Sequence, residues 1–372
     1  MEPGVVGSSP TGGTIFPAVY RVDIGRYFGA IVELAVPGAR PGGVTILAAS
    51  DAPENFASPH ARYAAHTARK LGLSFRSLDG ADGYLFEIGD GERRANFCAG
   101  AGTPYALNHA HAAAIARDKW FSQTVLAEAG IATIPSRLFF VTEEHVALRS
   151  PGREPSDARA FAAIADYPIF CKPILGAQGA FAEIIADEAE FVRYLARVSK
   201  SHYAILAQPV IDAPEYRVAV LHGRALFCYE KRRPTLLGDG VSTLAQLVKA
   251  SELPLSETAR ARDISGQLYR GSDKPPRGAT LRLEGPANRA VGGGASAPST
   301  DVPAPLAAIA LAAAHAIDLG FAAIDLFETR NGLVVIEVNA SPAVKTLEEH
   351  GRLDLIETIW TANIEAALRS AT

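Results

Sequence analysis

Residues 321–341 read FAAIDLFETRNGLVVIEVNAS, and the fold turns on how this stretch pairs with itself. Two apolar runs, Phe321–Phe327 and Leu333–Val338, flank Asn331-Gly332, a strong short-range hairpin signal. Acids are out of place in such strands, yet Asp325 sits inside the first, and Glu337 and Asn339 close the second. Strand side chains alternate, so Glu337 and Asn339, two apart, share a face. A two-residue Asn331-Gly332 loop puts Asp325 opposite Val338, on the other face. A three-residue Arg330-Asn331-Gly332 loop, with Gly332 left-handed, puts Asp325 opposite Glu337 instead. In that register two carboxylates and an amide oxygen converge. Like charges that close in an apolar sheet repel unless a cation lies between them or one is protonated. A small set of oxygen donors suits Mg²⁺, which keeps waters and shares its shell with substrate phosphates. A half-buried hairpin whose acids simply face solvent is the plainer alternative.

The whole chain, at 372 residues, is long for one core, so two or three domains are expected. Hydrophobic content of 48% and charge of 20% describe a globular protein able to bury a large core. A net charge of −4 argues against a general nucleic-acid or membrane-surface binder. Cys98, Cys171 and Cys228 lack metal-ligand spacing and read as reduced, mostly buried thiols of a cytoplasmic protein. No apolar run reaches about 18 residues, so no membrane span is expected. The opening MEPGVVGSSPTGG has neither the basic start nor the apolar core of a secretion signal. Its composition reads as a disordered leader, taken as residues 1–19.

Residues 20–105 read as a small α/β domain. Gly43–Ala49 is a buried strand, His60–Leu71 an amphipathic helix stopped by Gly72, and Tyr84–Ile88 and Arg94–Cys98 are further strands. Ala106–Ala129 has helical spacing with Gly130 as its stop and contains Arg117-Asp118-Lys119-Trp120. His109 and His111 are two apart, and on a helix such residues point apart, which argues against a metal site. Next come two β-rich runs around Gly176-Ala177-Gln178-Gly179, with Lys172 inside the first. Glycines let backbone N–H groups approach a phosphate, and a lysine in an apolar run needs an anion to neutralise it. Tyr203–Val210 is a strand, and Glu215–Leu221 and Ala225–Glu230 form a hairpin that ends in Lys231-Arg232-Arg233. Pro303–Leu319 reads as a helix stopped by Gly320, and Ile356–Ser370 as a closing amphipathic helix.

Taken in order, the helix lysine, the strand lysine with its glycine hairpin, the strand Tyr203–Val210, the basic strand exit and the D…E-x-N hairpin resemble the ATP-grasp superfamily of carboxylate–amine ligases. The resemblance spans roughly residues 109–351. It is nearest to the ATP-grasp parts of cyanophycin synthetase and bifunctional glutathione synthetase. These carry segments similar to Glu215-Tyr216-Arg217, to the stretch from Arg232 to Gly240, and to Asn288 followed by Gly292-Gly293. Ribosomal-protein glutamate ligases are similar at Arg117-Asp118-Lys119, Ala177-Gln178-Gly179 and the run Glu337–Pro342.

This resemblance implies an α/β (α+β) ATP-grasp fold: two α+β subdomains gripping ATP after a small N-terminal domain, with boundaries at 106–207 for the lid-bearing subdomain and 208–372 for the metal-bearing one. It implies ATP and Mg²⁺ as cofactors, two ions, with Mn²⁺ as an alternative. Lys119 and Lys172 hold the α- and β-phosphates. The loop with Gly176, Gln178 and Gly179 closes over the β- and γ-phosphates. The backbone from Gln208 to Val210 contacts adenine, and Glu215 contacts the ribose. Asp325, Glu337 and Asn339 bind Mg²⁺, and Arg232 faces the transferring phosphoryl group, making Arg232, Lys172 and Asn339 the catalytic set. The partners implied are a small-molecule acid and an amine, joined through an acyl phosphate with release of ADP; a homo-oligomer is compatible with this. Departures are Gln208-Pro209, where a Glu is usual in the hinge, and Ala343, where a Gly usually follows N-x-x-P. A non-catalytic ATP-binding module serving as sensor or scaffold is the competing reading.

Overall fold

The computed structural model describes residues 56–100, 102–176, 179–253, 259–285, 287 and 292–371. The expected leader and the strand Gly43–Ala49, as well as Gln178 and Asn288, lie outside these residues. The chain divides into two compact units, Met1–Thr45 and Ile46–Thr372, and every described residue belongs to the second.

Helix α1 (Pro59–Lys70) starts with a proline in its first turn, where a missing N–H costs nothing, and buries an alanine-rich face. Strands β1 (Ser74–Ser77), β2 (Leu85–Gly89) and β3 (Arg94–Cys98) form an antiparallel three-stranded sheet in that order. Phe75, Phe86 and Phe97 stack across it, and Trp360 from the C-terminal helix packs on the last two. The helical stretch after residue 106 is broken into α2 (Ala110–Arg117) and α3 (Lys119–Glu128). Asp118 has extended geometry and its carboxylate accepts from the Trp120 and Phe121 N–H groups, so it caps α3. His109 is the extended N-cap of α2 rather than a helical residue, so its ring stacks on that of His111 instead of pointing away from it.

Strands β4 (Arg137–Phe140), β5 (Ile169–Pro173), β6 (Glu183–Ile185) and β7 (Ala204–Pro209) form a sheet in the order β4-β7-β5-β6. Helices α4 (Pro155–Ala162) and α5 (Glu188–Val198) cover one face, over Cys171, Ile185 and Ile205. Strand alternation puts Lys172, Leu206 and Gln208 on the opposite face, where Lys172 pairs with Leu206 and Phe170 with Gln208.

A five-stranded antiparallel sheet carries the rest. Its hairpin β8 (Glu215–Leu221) and β9 (Arg224–Arg232) is followed by a small insertion. This comprises β10 (Thr235–Leu237), α6 (Leu244–Ala250), β11 (Ala261–Arg262), β12 (Leu268–Tyr269) and β13 (Thr280–Leu283), with its own core around Leu244, Tyr269 and Leu281. Strand β14 (Gly294–Ala295) returns to pair with β9. Helix α7 (Ala304–Ile317) ends at Asp318 in the left-handed conformation, two residues before the expected glycine stop. It leads into β15 (Phe321–Thr329) and β16 (Gly332–Asn339), then α8 (Lys345–Glu349) and α9 (Leu353–Ser370). The sheet order is β14-β9-β8-β15-β16. On one face Val218, Val220, Ile324 and Leu326 pack under α7. On the other, Ala219, Leu221, Phe227, Tyr229 and Phe321 join Trp360, Val344 and Leu347 in a core that also includes the α1–β3 segment.

The hairpin register holds a correction. The turn is two residues, Arg330-Asn331, because Thr329 pairs with Gly332, which has φ +114°. Asp325 nevertheless lies opposite Glu337, because a β-bulge between Asp325 and Leu326 on the pairing ladder leaves Ile336 as the extra residue. The expected three-residue loop is therefore absent, and the bulge delivers the same pairing.

Candidate active site

Beyond the apolar half of that last face, the same face becomes ionic. Alternation places Glu215 and Arg217 of β8, Lys231 of β9, Asp325 of β15 and Glu337 and Asn339 of β16 there together. Arg217 and Glu337 are the two cross-strand neighbours of Asp325, and Lys231 and Phe327 are those of Glu215. The Arg217 guanidinium donates to both Asp325 oxygens, Nε to Oδ1 at 2.6 Å and Nη2 to Oδ2 at 2.7 Å. Lys231 Nζ donates to Asp325 Oδ2 at 3.1 Å and also to Glu215. Asp325 is 1% exposed. Burial alone lifts its carboxyl, but Arg217 and Lys231 outweigh burial and hold it well below the usual carboxylate range. Burial raises the Glu215 carboxyl, an effect Lys231 partly offsets and Asp325 reinforces.

Lys172 faces this cluster from the four-stranded sheet. It is 6% exposed, and burial pulls its ammonium down to about 8 against the opposing pull of Glu337, with Lys119 lowering it further and Asp325 and Glu215 raising it. Lys119, the first residue of α3, donates from Nζ to the Gly176 carbonyl at 2.9 Å, and so touches the glycine loop. Gly179, at φ +78°, occupies a conformation that favours glycine. At the end of β7, Gln208 is 3% exposed and donates from Nε2 to Ser136 Oγ at 2.7 Å, while Ser136 Oγ donates to Gln123 Oε1. Gln208 Oε1 is buried with no hydrogen-bond partner among the described residues. Val210 follows that strand and is half-buried, and Arg232 closes β9 with its side chain exposed.

Lys172, Glu215, Asp325 and Glu337 thus act on one another electrostatically, and Lys119 reaches the glycine loop beside them. Arg217 and Lys231, to which residue pattern alone assigns no role, hold the centre of the cluster. Their signal was present in part: Glu215 and Arg217 alternate on one strand. The pairing of Glu215 with Lys231 depends on a second bulge, between Ala219 and Val220, which shifts the β8–β9 register by one residue.

A buried lysine on one antiparallel sheet and an acid–amide set on the other make up the candidate site. Residues 284–362, which contain Asp325, Glu337 and Asn339, match the family model described as RimK-like ATP-grasp domain. Similar solved structures include a bifunctional glutathione synthetase from Pasteurella multocida, at 16% identity and TM-score 0.45 over 81% of this chain. This chain spans 44% of that one. A D-alanine–D-alanine ligase from Bacillus anthracis is 16% identical, with TM-score 0.44 and 70% of each chain covered. The corresponding ligase from Coxiella burnetii is 16% identical, with TM-score 0.41, over 70% of this chain and 61% of that one. No curated protein sequence matches.

The residues present suit a metal that brings other ligands with it. Among the described residues no group of three or more His, Cys, Asp or Glu side chains is arranged to hold an ion unaided. Both Asp325 oxygens are engaged by cations, whereas the Asn339 amide makes only two long contacts, at 3.4 Å to Ala323 O and to Glu337 Oε1. The Glu337 carboxylate and the Asn339 amide oxygen are therefore the more available donors, with Asp325 behind them. The orphaned Gln208 Oε1 suits a ligand that carries an N–H donor at the end of β7. Among the described residues no helix is long and apolar enough to cross a membrane.

Proposed function

We propose that this protein is an ATP- and Mg²⁺-dependent carboxylate–amine ligase that forms an amide or peptide bond through an acyl phosphate. The observation that carries this reading is Lys172: a buried ammonium, pulled down to about 8, aimed at the acids of the opposite sheet. Without ligand this arrangement is costly; a polyphosphate and its metal between the two sheets satisfies both sides at once.

In this reading Lys119 and Lys172 hold the α- and β-phosphates, and Gly176, Gln178 and Gly179 close over the β- and γ-phosphates. Gln208 and Val210 border the adenine, and Glu215 the ribose. Glu337 and Asn339 hold Mg²⁺ with Asp325, whose charge and position are fixed by Arg217 and Lys231. A bound Mg²⁺ supplies neutralisation of the phosphate charge, so that an anionic nucleophile can approach. A carboxylate oxygen of the acid attacks the γ-phosphorus as the β–γ bridging bond breaks, and ADP leaves with that electron pair. The amine nitrogen then attacks the acyl carbon, the C–O bond to phosphate breaks, and inorganic phosphate and a proton are released. Arg232 faces the phosphoryl group in transfer. The protein contributes alignment and charge rather than covalent chemistry, and the glycine loop keeps water from the acyl phosphate.

The test is phosphate release screened over pairs of amino acids and dipeptides with ATP and Mg²⁺, followed by mass spectrometry of the products. An amide product formed in step with phosphate supports the reading. Tight ATP binding with no product across acids and amines favours the sensor or scaffold instead.

A further inference from the structure

The hairpin β15–β16 is closed at one end by its turn and open at the other, where β16 runs on past Asn339. The backbone polar groups at that open end need partners, and three side chains from residues 103–108 supply them. Asn108, buried, uses its whole amide: Oδ1 accepts from Phe321 N at 3.0 Å, and Nδ2 donates to Phe321 O at 2.7 Å and to Ala340 O at 2.8 Å. One side chain thus ties the first residue of β15 to the residue after Asn339. Thr103 Oγ1 gives Ala340 O a second bond at 2.8 Å, and the Tyr105 hydroxyl donates to Pro342 O at 2.9 Å. Pro342 and Val344 line a small cavity together with Phe227, Tyr229, Phe321 and Leu347.

The contrast with Asn339 itself is informative. Its own amide has only the two 3.4 Å contacts, so little in its side chain fixes it, whereas the backbone beside it is held by two bonds of 2.8 Å. We propose that Thr103, Tyr105 and Asn108 are positioning residues for the cation-holding end of β16: by fixing Ala340 and Pro342 they hold the Asn339 oxygen where a divalent cation is bound. All three lie far upstream of the segment that matches the RimK-like domain. The inference rests on the reading of Asn339 as a metal donor, and the experiment separates the two.

Mn²⁺ binding is titrated by electron paramagnetic resonance in the presence of a non-hydrolysable ATP analogue. The subjects are wild type, Asn339→Ala, the double variant Thr103→Val with Tyr105→Phe, and Thr103→Ser with wild-type Tyr105. The double variant removes one half-buried and one buried hydroxyl with little change of shape. It is expected to weaken Mn²⁺ about tenfold or more, the range for groups that orient a metal ligand, without changing the affinity for the analogue in metal-free buffer. Thr103→Ser keeps its hydroxyl and is expected to bind Mn²⁺ as wild type does. If Asn339→Ala weakens Mn²⁺ but the double variant does not, or only loses thermal stability, the positioning role is wrong. If Asn339→Ala itself leaves Mn²⁺ binding unchanged, the metal reading fails, and the positioning proposal fails with it. Should the double variant not fold, Tyr105→Phe alone is read against the same two outcomes.

Discussion

Arg217 holds both oxygens of Asp325 in a bidentate grip, at 2.6 and 2.7 Å, inside a sheet where Asp325 is 1% exposed. A carboxylate this deep is tolerated only because a planar guanidinium and Lys231 meet it. Arg217→Met leaves the charge with Lys231 alone and is expected to cost about 3–5 kcal/mol of stability, the range for breaking a buried pair. Urea unfolding at neutral pH measures it. A loss of about 1 kcal/mol or less, the worth of an exposed pair, contradicts the buried grip.

The same pair sets a pH dependence. The folded Asp325 carboxyl lies below its usual range, so its contribution is present above the unfolded value of about 3.9. It is lost as pH falls through the lower folded value. The stability difference between wild type and Asp325→Asn should therefore be constant near neutrality and shrink only below about pH 4. A difference that fades already between pH 6 and 5 contradicts this assignment.

The sequence made one half of this site legible and hid the other. The two acids, the Asn339 amide and the glycine loop follow from the alternation and spacing of residue types that are unusual in apolar strands. Which charges meet across strands follows only in part, Asp325 with Glu337 as one of two registers and Glu215 with Lys231 not at all, because each hairpin carries a bulge. Without them the ladders would set Asp325 against Ile336 and Glu215 against Glu230; with them the partners are Glu337 and Lys231. A bulge is an outcome of packing on both faces, so local sequence does not announce it. The break at Asp118 and the His109–His111 stack were hidden for a related reason: helix spacing continues through residues that cap rather than extend a helix. The positions of Thr103, Tyr105 and Asn108 are more than 200 residues from their acceptors, and no pattern connects them.

Lys172→Met is expected to cost about 10²-fold or more in turnover, as with the loss of other preorganised charge donors, while leaving the fold intact. With the ammonium titrating near 8 rather than 10.5, the buried charge costs stability on the order of 3 kcal/mol below pH 8. That cost is relieved as pH rises from about 8 towards 10.5. The ligand-free variant should thus be more stable than wild type at pH 7, with the gap narrowing above pH 8. Near-normal ligation by Lys172→Met would make the lysine a structural one.

Nucleotide affinity should carry the same signature with opposite use. A polyphosphate keeps Lys172 protonated, so ATP affinity is expected to be flat below pH 8 and to fall by up to about tenfold per unit above it. Calorimetry over pH 6.5–9.5 measures this, and Lys172→Met should flatten the curve. A wild-type affinity that rises with pH argues that phosphate does not contact this lysine.

Amide exchange at Gly176 and Gly179 is expected to slow when ATP and Mg²⁺ are added together, because the loop's proposed contacts are to phosphate. Lys119, now bonded to the Gly176 carbonyl, would turn to the nucleotide. Exchange equally slow with and without ligand contradicts a closing loop.

The central claim is transfer of the terminal phosphoryl group to the acid substrate, and isotope transfer tests it most directly. The lysines, the glycine loop and the acids gather at the place proposed for the terminal phosphates, where charge must be neutralised if the β–γ bridge breaks. Once the acid is identified by the screen, it is supplied with ¹⁸O in its carboxylate. One label is expected in inorganic phosphate for each amide formed, with ADP as the nucleotide product. Label in AMP, or unlabelled phosphate during productive amide formation, contradicts the account.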